Sequence, residues 1–526
     1  MKRWTTKISF LILLLLQCLA PGATYYIAQG GNDVSPGALS RPWKTIAKAN
    51  QVLQPGDTVY IRAGTYEEQI RPARSGAGGD YITYASYSND KVVIANVAFG
   101  ADLRNRSYIV IDGLILRNNK HWINMRGEDR NHKATHNIIR DCHMQEARGW
   151  AGIYMKLGTD HNKILNNTLI GFRGPDDLIY CRGGAHYNLI EGNDFSYGPH
   201  QCLDFQGTEG ETSHNIIRNN RFRNPWHTSL AVYPNADWSL VEGNIIFDSG
   251  ENYRDNRYGS ERDRNMARRN HGGIQLGSSH CIIRNNVLIN NGCMSMNTYG
   301  WKKCLDNRIY NNTLFQNYRG LFSNTPDPVY GNLIKNNIFF NNREYEIYRW
   351  INDTFSWNYY INNNIRGSLL THYPDKDVSL AYLQTKYPDY WYSNLELDPM
   401  FVDQANRDVH LRQTSPMIDA GAFLTKTVDA GSGTTIKVED ASYFCDGWGI
   451  LEGDLIQLEG QTARRKITSV DCDSNILTIE TPLTWKRGRG VSLAYEGKAP
   501  DIGAYEYGAP VTQMPAPMKV DPPKGR

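Results

Sequence analysis

His214-Asn215-Ile216-Ile217-Arg218-Asn219-Asn220 is one copy of a seven-residue pattern that recurs through the middle of the chain. Related segments begin at His136, His161, Tyr187, Trp238, His280, Asp306 and Gly331. In chain order the starts lie 25, 26, 27, 24, 42, 26 and 25 residues apart. A period near 25 has few physical readings. Leucine-rich repeats share it, but their leucine framework is missing. Helical repeats need longer apolar stripes than runs such as Ile216-Ile217 supply. Three short strands with alternating apolar positions, joined by Asn-Asn or Gly turns, do fill one coil of a β-helix. A single coil cannot bury its inner face, so neighbours must stack. The pattern predicts an all-β chain folded as a right-handed parallel β-helix solenoid. Asn tolerates left-handed backbone and hydrogen-bonds locally. Coils stacked at ~4.8 Å would align Asn167, Asn193, Asn220, Asn244, Asn286, Asn312 and Asn337 as an amide ladder.

The ends of the chain differ from the middle. Helical spacing from Trp43 to Leu53 predicts an amphipathic cap over the first coil, ending at Pro55-Gly56-Asp57. Strands are expected from Val59 to Ile61 onward. After Asn364 the repeat weakens, and Ser379 to Thr385 reads as a short helix. The β-helix is assigned residues 24–428, a small antiparallel β insert 429–498, a closing segment 499–509 and a disordered Pro- and Lys-rich tail 510–526. Residues 1–23 read as a signal peptide, with Lys2, Arg3 and Lys7 before the apolar run Ile8 to Leu16 and small residues at Ala20-Pro21-Gly22. That run is too short to span a bilayer. Cys18 follows Gln17, a poor lipoprotein box, so a secreted or periplasmic location is favoured over an outer-membrane lipoprotein. Eight cysteines would then remain in the mature chain. Cys293 with Cys304, and Cys445 with Cys472, are the candidate disulfides of an oxidising compartment. No Cys-x-x-Cys occurs, which argues against a zinc ribbon. A formal charge of +3 argues against a general nucleic-acid partner.

Tyr25-Tyr26-Ile27-Ala28, Pro42-Trp43-Lys44-Thr45-Ile46 and Pro55-Gly56-Asp57-Thr58-Val59-Tyr60 open the chain. Asp419-Ala420-Gly421 and Asp501-Ile502-Gly503-Ala504-Tyr505-Glu506 lie near its end. Together they resemble secreted parallel β-helix proteins of the pectate-lyase-like superfamily. The resemblance spans nearly the whole mature chain and is specific for the fold. It implies carbohydrate chemistry, since that superfamily includes polysaccharide lyases, glycoside hydrolases and uronan epimerases. Its chondroitinase B and alginate lyase group uses a Lys, an Arg and calcium, and no motif here carries those roles over residue by residue. Tyr197-Gly198-Pro199-His200 resembles the Asp-Pro-His element of mannuronan epimerases, with Gly198 in place of the Asp.

Alternation along the strand before each repeat gives inward pairs Ile153/Met155, Leu178/Tyr180, Leu203/Phe205, Leu230/Val232 and Ile274/Leu276. Tyr154, Ile179, Asp204, Ala231 and Gln275 would face outward. Three positions ahead of each pair come Trp150, Pro175, His200, His227 and His271. Three histidines at one position of successive coils are the sharpest feature of the sequence. The histidine column at His136, His161, His214 and His280 reads instead as turn packing. β-Elimination in a uronic polymer needs a base for the C5 proton, positive charge for the carboxylate and an acid for the leaving oxygen. His200, His227, His271, Tyr233, Asp204 and Asp177 are the catalytic candidates, and Lys156, Arg182, Trp226 and Tyr154 are candidates for binding. The 42-residue spacing marks an Arg-rich insertion, with Arg268 and Arg269 leading into His271, which reads as a lid. Tyr253 and Trp301 would stack on sugar rings.

A lyase acting on an acidic polysaccharide is the leading reading. A glycoside hydrolase using Asp177 and Asp204 is the alternative, with a uronan C5-epimerase or a non-enzymatic carbohydrate-binding protein behind it. Hydrolase carboxylates would stand ~5 Å or ~6.5–9.5 Å apart. The metal is unknown. Calcium is the possible cofactor, with Asp176, Asp177 and Asp204 as its oxygen donors.

Overall fold

A computed structural model describes residues 22–129, 132–171, 177–207, 211–250, 272–296, 303–323, 329–349, 358–370 and 377–509. Residues 1–21 of the expected signal peptide, the tail from 510, and residues 251–271 of the insertion lie outside them.

The chain is a right-handed parallel β-solenoid with three strands per coil. Among the described residues the first sheet has 14 strands, the second 12 and the third 11. Strands begin earlier than Val59, because Thr24–Ile27 already pairs in parallel with Thr58–Ile61. A helix over Ile46–Val52 buries Ile46 and Ala49 against the first coil, and Thr45 Oγ accepts its Lys48 N–H at 3.1 Å. A second helix, Leu380–Lys386, starts from a Ser379 cap.

The repeat owes its shape to two asparagine positions. The first of each pair bends the chain: Asn166, Asn219, Asn285, Asn311 and Asn336 all have φ between 52° and 54°. Gly192 and Gly243 take that place in two coils, where a Cβ would come within 2.3 and 2.5 Å of the Asn below. The second Asn points inward and builds the ladder. Asn167 Nδ2 donates to Asn193 Oδ1 at 3.0 Å, and the chain of bonds runs on through Asn220, Asn244, Asn286, Asn312 and Asn337 to Asn363 and Asn394. These amides lie in a dry interior, where an unmade hydrogen bond is costly. Further ladders run through Asn137, Asn162, Asn188 and Asn215, and through Asn291, Asn317 and Asn342.

From Tyr108 to His280 the left-handed residue at one turn of each coil carries a ring. Tyr108, His136, His161, Tyr187, His214, Trp238 and His280 stack at successive centroid distances of 4.8, 5.0, 5.2, 4.9, 6.2 and 4.6 Å. This column is turn packing.

A six-stranded antiparallel sheet built between Thr425 and Leu493 folds back onto the outer face of the first sheet. Its Ile456, Leu477 and Phe444 share a core with Leu189, Ile216, Leu240 and Ile282 of the solenoid. Arg284, fully buried, bridges the two bodies: its guanidinium donates to both oxygens of Asp454 at 2.7 and 2.5 Å, to Tyr310 at 3.0 Å, and meets Glu242 at 3.3 Å. The Asp-Ala-Gly and Asp-Ile-Gly-Ala-Tyr-Glu segments fasten the end of the chain. Asp501 accepts the Asp419 and Tyr507 N–H groups at 2.7 and 2.6 Å, and Asp419 accepts those of Lys498 and Ala499.

The expected disulfides are not formed, since Cys304, Cys445 and Cys472 are thiols. Cys445 is buried and Cys472 half-buried, and Cys304 fills space in the solenoid core as a small apolar side chain.

Candidate active face

Strand register on the third sheet fixes which side chains share a row. Ile153, Ile179, Leu203, Leu230 and Ile274 align inward, as do Met155, Cys181, Phe205, Val232 and Leu276. The row between them, facing outward, is Asn124, Tyr154, Tyr180, Asp204, Ala231, Gln275 and Ser295. The expected pair Leu178/Tyr180 is therefore wrong by one residue: Ile179 and Cys181 point in and Tyr180 points out. Asp177-Leu178-Ile179-Tyr180-Cys181 contains four successive apolar residues, so alternation within the strand does not set its phase. Pairing with the neighbouring coils does.

The correction adds a tyrosine to the outer face. Tyr180 lies 4.8 Å from Trp150 and 6.0 Å from Tyr154, and Trp150 also meets Tyr154 at 4.6 Å. Trp150 is 42 % exposed, so this cluster offers ring faces to a sugar. The Arg182 guanidinium folds back over Tyr180, 4.4 Å from the ring centroid. Two places beyond the tyrosine row, Arg126, Lys156 and Arg182 stand on three successive coils. Each adds a cation along one edge of the sheet.

The histidines occupy the opposite, leading edge. His200 and His227 stack with centroids 5.1 Å apart and ring planes 26° apart. His200 Nδ1 lies 3.0 Å from Asp177 Oδ1, and that oxygen also accepts the Gln201 N–H at 3.1 Å. Asp177 is 4 % exposed, and the His200 side chain 37 %. A carboxylate only accepts, so this contact places the proton on Nδ1 and the lone pair on Nε2. His227 Nδ1 pairs with Thr228 Oγ at 2.9 Å, and half-buried Trp226 precedes it. His271, Arg268, Arg269, Tyr253, Trp301 and Asp176 lie outside the described residues.

Two further candidates stand where their chain positions put them. Tyr233, 8 % exposed, follows the strand that His227 precedes. Six residues of extended chain separate them by ~20 Å, so the fold does not bring Tyr233 to the histidines. Asp177 and Asp204 belong to adjacent coils at positions three residues apart in register, ~11 Å between backbones, and their carboxyl groups still interact electrostatically. Among the described residues no three His, Cys, Asp or Glu side chains converge on a metal site.

Asp204 is fully buried, with Oδ2 accepting from Gln206 Nε2 at 2.6 Å and Oδ1 lacking a hydrogen-bond partner among the described residues. Burial, then the neighbouring Asp177, push its carboxyl well above the ordinary range, against the pull of Arg182 and Gln206. The fold thus favours its protonated form relative to the unfolded chain, where an Asp ionises near ~4. The native state binds the extra proton, so stability declines as pH rises past the unfolded value. Asp204→Asn is expected to melt several degrees above the parent at pH 8, with the gap closing toward pH 4. A gap independent of pH would show that Asp204 is ionised in the folded protein.

Residues 25–197 match a family model described as Pel9A-like, right handed beta helix region, and residues 175–322 match one described as right handed beta helix region. An uncharacterized protein, YwoF, of Bacillus subtilis (strain 168) is 31% identical over 166 residues. The match covers 31% of this chain and 31% of YwoF, so less than a third of that relative's length is spanned. Among solved structures, pectate lyase Pel9A superposes with a TM-score of 0.47 at 13% identity over 93% of this chain and 97% of its own. XylC in complex with xylose gives 0.48 at 12% identity over 89% and 99%. The PL6 family alginate lyase AlyGC gives 0.40 at 15% identity over 62% and 53%.

Proposed function

From a right-handed parallel β-helix fold related to the pectate- and alginate-lyase type of carbohydrate-active proteins, we propose that this chain is an exported lyase, secreted or periplasmic, which cleaves an acidic polysaccharide by β-elimination on the third sheet. The observation that carries the reading is the His200–Asp177 contact with His227 stacked beside it, on the sheet that also bears the Arg126, Lys156 and Arg182 column.

Asp177 orients His200, whose Nε2 removes the C5 proton of a uronate. His227, one coil away, protonates the C4 oxygen as the C4–O bond breaks, leaving a C4–C5 double bond on the new end. The departing C5 proton and the proton gained by the leaving oxygen balance, so no oxidant or reductant enters. Trp150, Tyr154 and Tyr180 hold sugar rings by stacking. Arg182, at the far end of the strand that carries Asp177, pairs in two-pronged fashion with the carboxylate of a sugar unit further along the bound chain. Proton abstraction without C4–O cleavage would give epimerisation on the same residues. A hydrolase would draw on Asp204 as the protonated acid.

Incubation with a panel of uronic polysaccharides separates these readings. Growing absorbance from the unsaturated C4–C5 product is the expected result. New reducing ends without that absorbance would replace the lyase by the hydrolase, and solvent deuterium at C5 without chain cleavage would replace it by the epimerase.

A further inference from the structure

The antiparallel C-terminal sheet covers the outer face of the first sheet only from about Leu189 onward. The N-terminal coils keep that face open, and there the surface sinks into a pocket of about 660 Å³. Its cause is one outward row. Tyr60, Ala85, Asp112 and Arg140 align on four successive coils. Ala85 is the small member between a ring and an ion pair, so the floor drops at its position. The turn Ser88-Asn89 forms a wall, with φ of 46° and 64° at its two residues. Beside it, Asp90 is held by the Ala63 N–H at 3.0 Å.

We propose that this pocket binds a neutral sugar unit of a glycan, at a site separate from the face that carries the histidines. Three features fit that ligand. Tyr60 is half-buried and braced by Tyr26 and Tyr87 at 5.9 and 6.1 Å, which leaves a ring fixed in place for a pyranose to rest on. Arg140 donates from Nε and Nη2 to Asp112 Oδ2 at 2.9 and 2.7 Å, yet the two side chains stay 46% and 24% exposed. A planar, partly solvated carboxylate and guanidinium side by side suit a vicinal diol, whose hydroxyls both donate and accept. Charge decides between neutral and acidic sugars. Asp90, Asp112 and Asp141 oppose Lys91 and Arg140 in the lining, three against two, so a uronate would meet a slight excess of negative charge. The Arg126, Lys156 and Arg182 column on the third sheet has the opposite bias. The inference stands whether or not the histidine face is a lyase.

Isothermal titration of the full chain with cellohexaose, xylohexaose, galactohexaose and hexagalacturonate tests it. At least one neutral hexaose is expected to bind at one site per chain, more tightly than hexagalacturonate binds there. Tyr60→Ala should weaken it about tenfold, Ala85→Trp should abolish it by filling the floor, and Tyr60→Phe should leave it intact. Thermal melting checks that each variant folds, and Asp112→Ala replaces Ala85→Trp if the latter does not. Binding of none of the neutral probes, binding indifferent to these substitutions, or preferential binding of hexagalacturonate at this site would each overturn the proposal.

Discussion

His200→Ala is expected to lower turnover on an acidic polysaccharide by ~10²–10⁴-fold, the range lost with a positioned general base, with little change in melting temperature. The side chain is more than a third exposed and its ring stacks on His227, so the solenoid core is untouched by its removal. Asp177 keeps the Gln201 N–H as a donor. Asp177→Asn should cost less than His200→Ala but act through the same group, because an amide facing Nδ1 no longer selects the tautomer that leaves the lone pair on Nε2. The double variant should therefore be no worse than His200→Ala alone, as expected for residues acting as a unit. His227→Ala should also suppress product formation, while solvent exchange at C5 persists if His200 alone is the base. Near-normal turnover in His200→Ala would remove the histidine edge from the mechanism and shift attention to the tyrosine row.

Arg284→Ala carries the largest expected loss of stability, ~3–5 kcal/mol, the usual consequence of removing one member of a buried ionic group. It would leave Asp454 without its Arg284 partner and Glu242 with only Arg218 nearby beneath the C-terminal sheet. Burial works to raise the Glu242 carboxyl, but Arg284 and then Arg218 hold it below its ordinary value. A carboxyl held low stabilises the fold above its unfolded pKa and loses that contribution as pH falls through the folded one. The parent should accordingly weaken on acidification through this group. Arg284→Ala should blunt that dependence, and limited proteolysis of the variant should cut first between residues 425 and 493. Replacing the whole group, as Arg284→Met with Asp454→Leu and Glu242→Leu, should restore most of the stability, since apolar packing often matches a buried ionic cluster. If Arg284→Ala melts with the parent and resists protease equally, the sheet is held by its apolar contacts alone.

Both expectations depend on contacts of very different range. The Asp177–His200 contact joins residues 23 apart, about one coil, whereas Arg284 and Asp454 are 170 apart. The first is legible once the coil length is known. The second is not, because no periodicity links a solenoid strand to a domain folded back upon it.

The same distinction runs through the whole chain. The sequence determined the coil, because a 25-residue spacing of Asn-Asn turns and short apolar runs leaves few other ways to bury an inner face. It also placed the Asn167 to Asn337 ladder and the stacking of His200 on His227, since identical positions of stacked coils must superpose. It did not determine the phase of Asp177 to Arg182, where apolar residues run together and side-chain alternation loses its meaning. Cys181 and Ile179 pack inward because Met155, Phe205, Ile153 and Leu203 above and below them do, and Tyr180 is turned out as a result. Nor did it show that Arg284 is buried by a distant sheet. Those facts arise from which surfaces meet when the coils stack and the C-terminal sheet folds back, and a chain read one residue at a time carries no measure of that meeting.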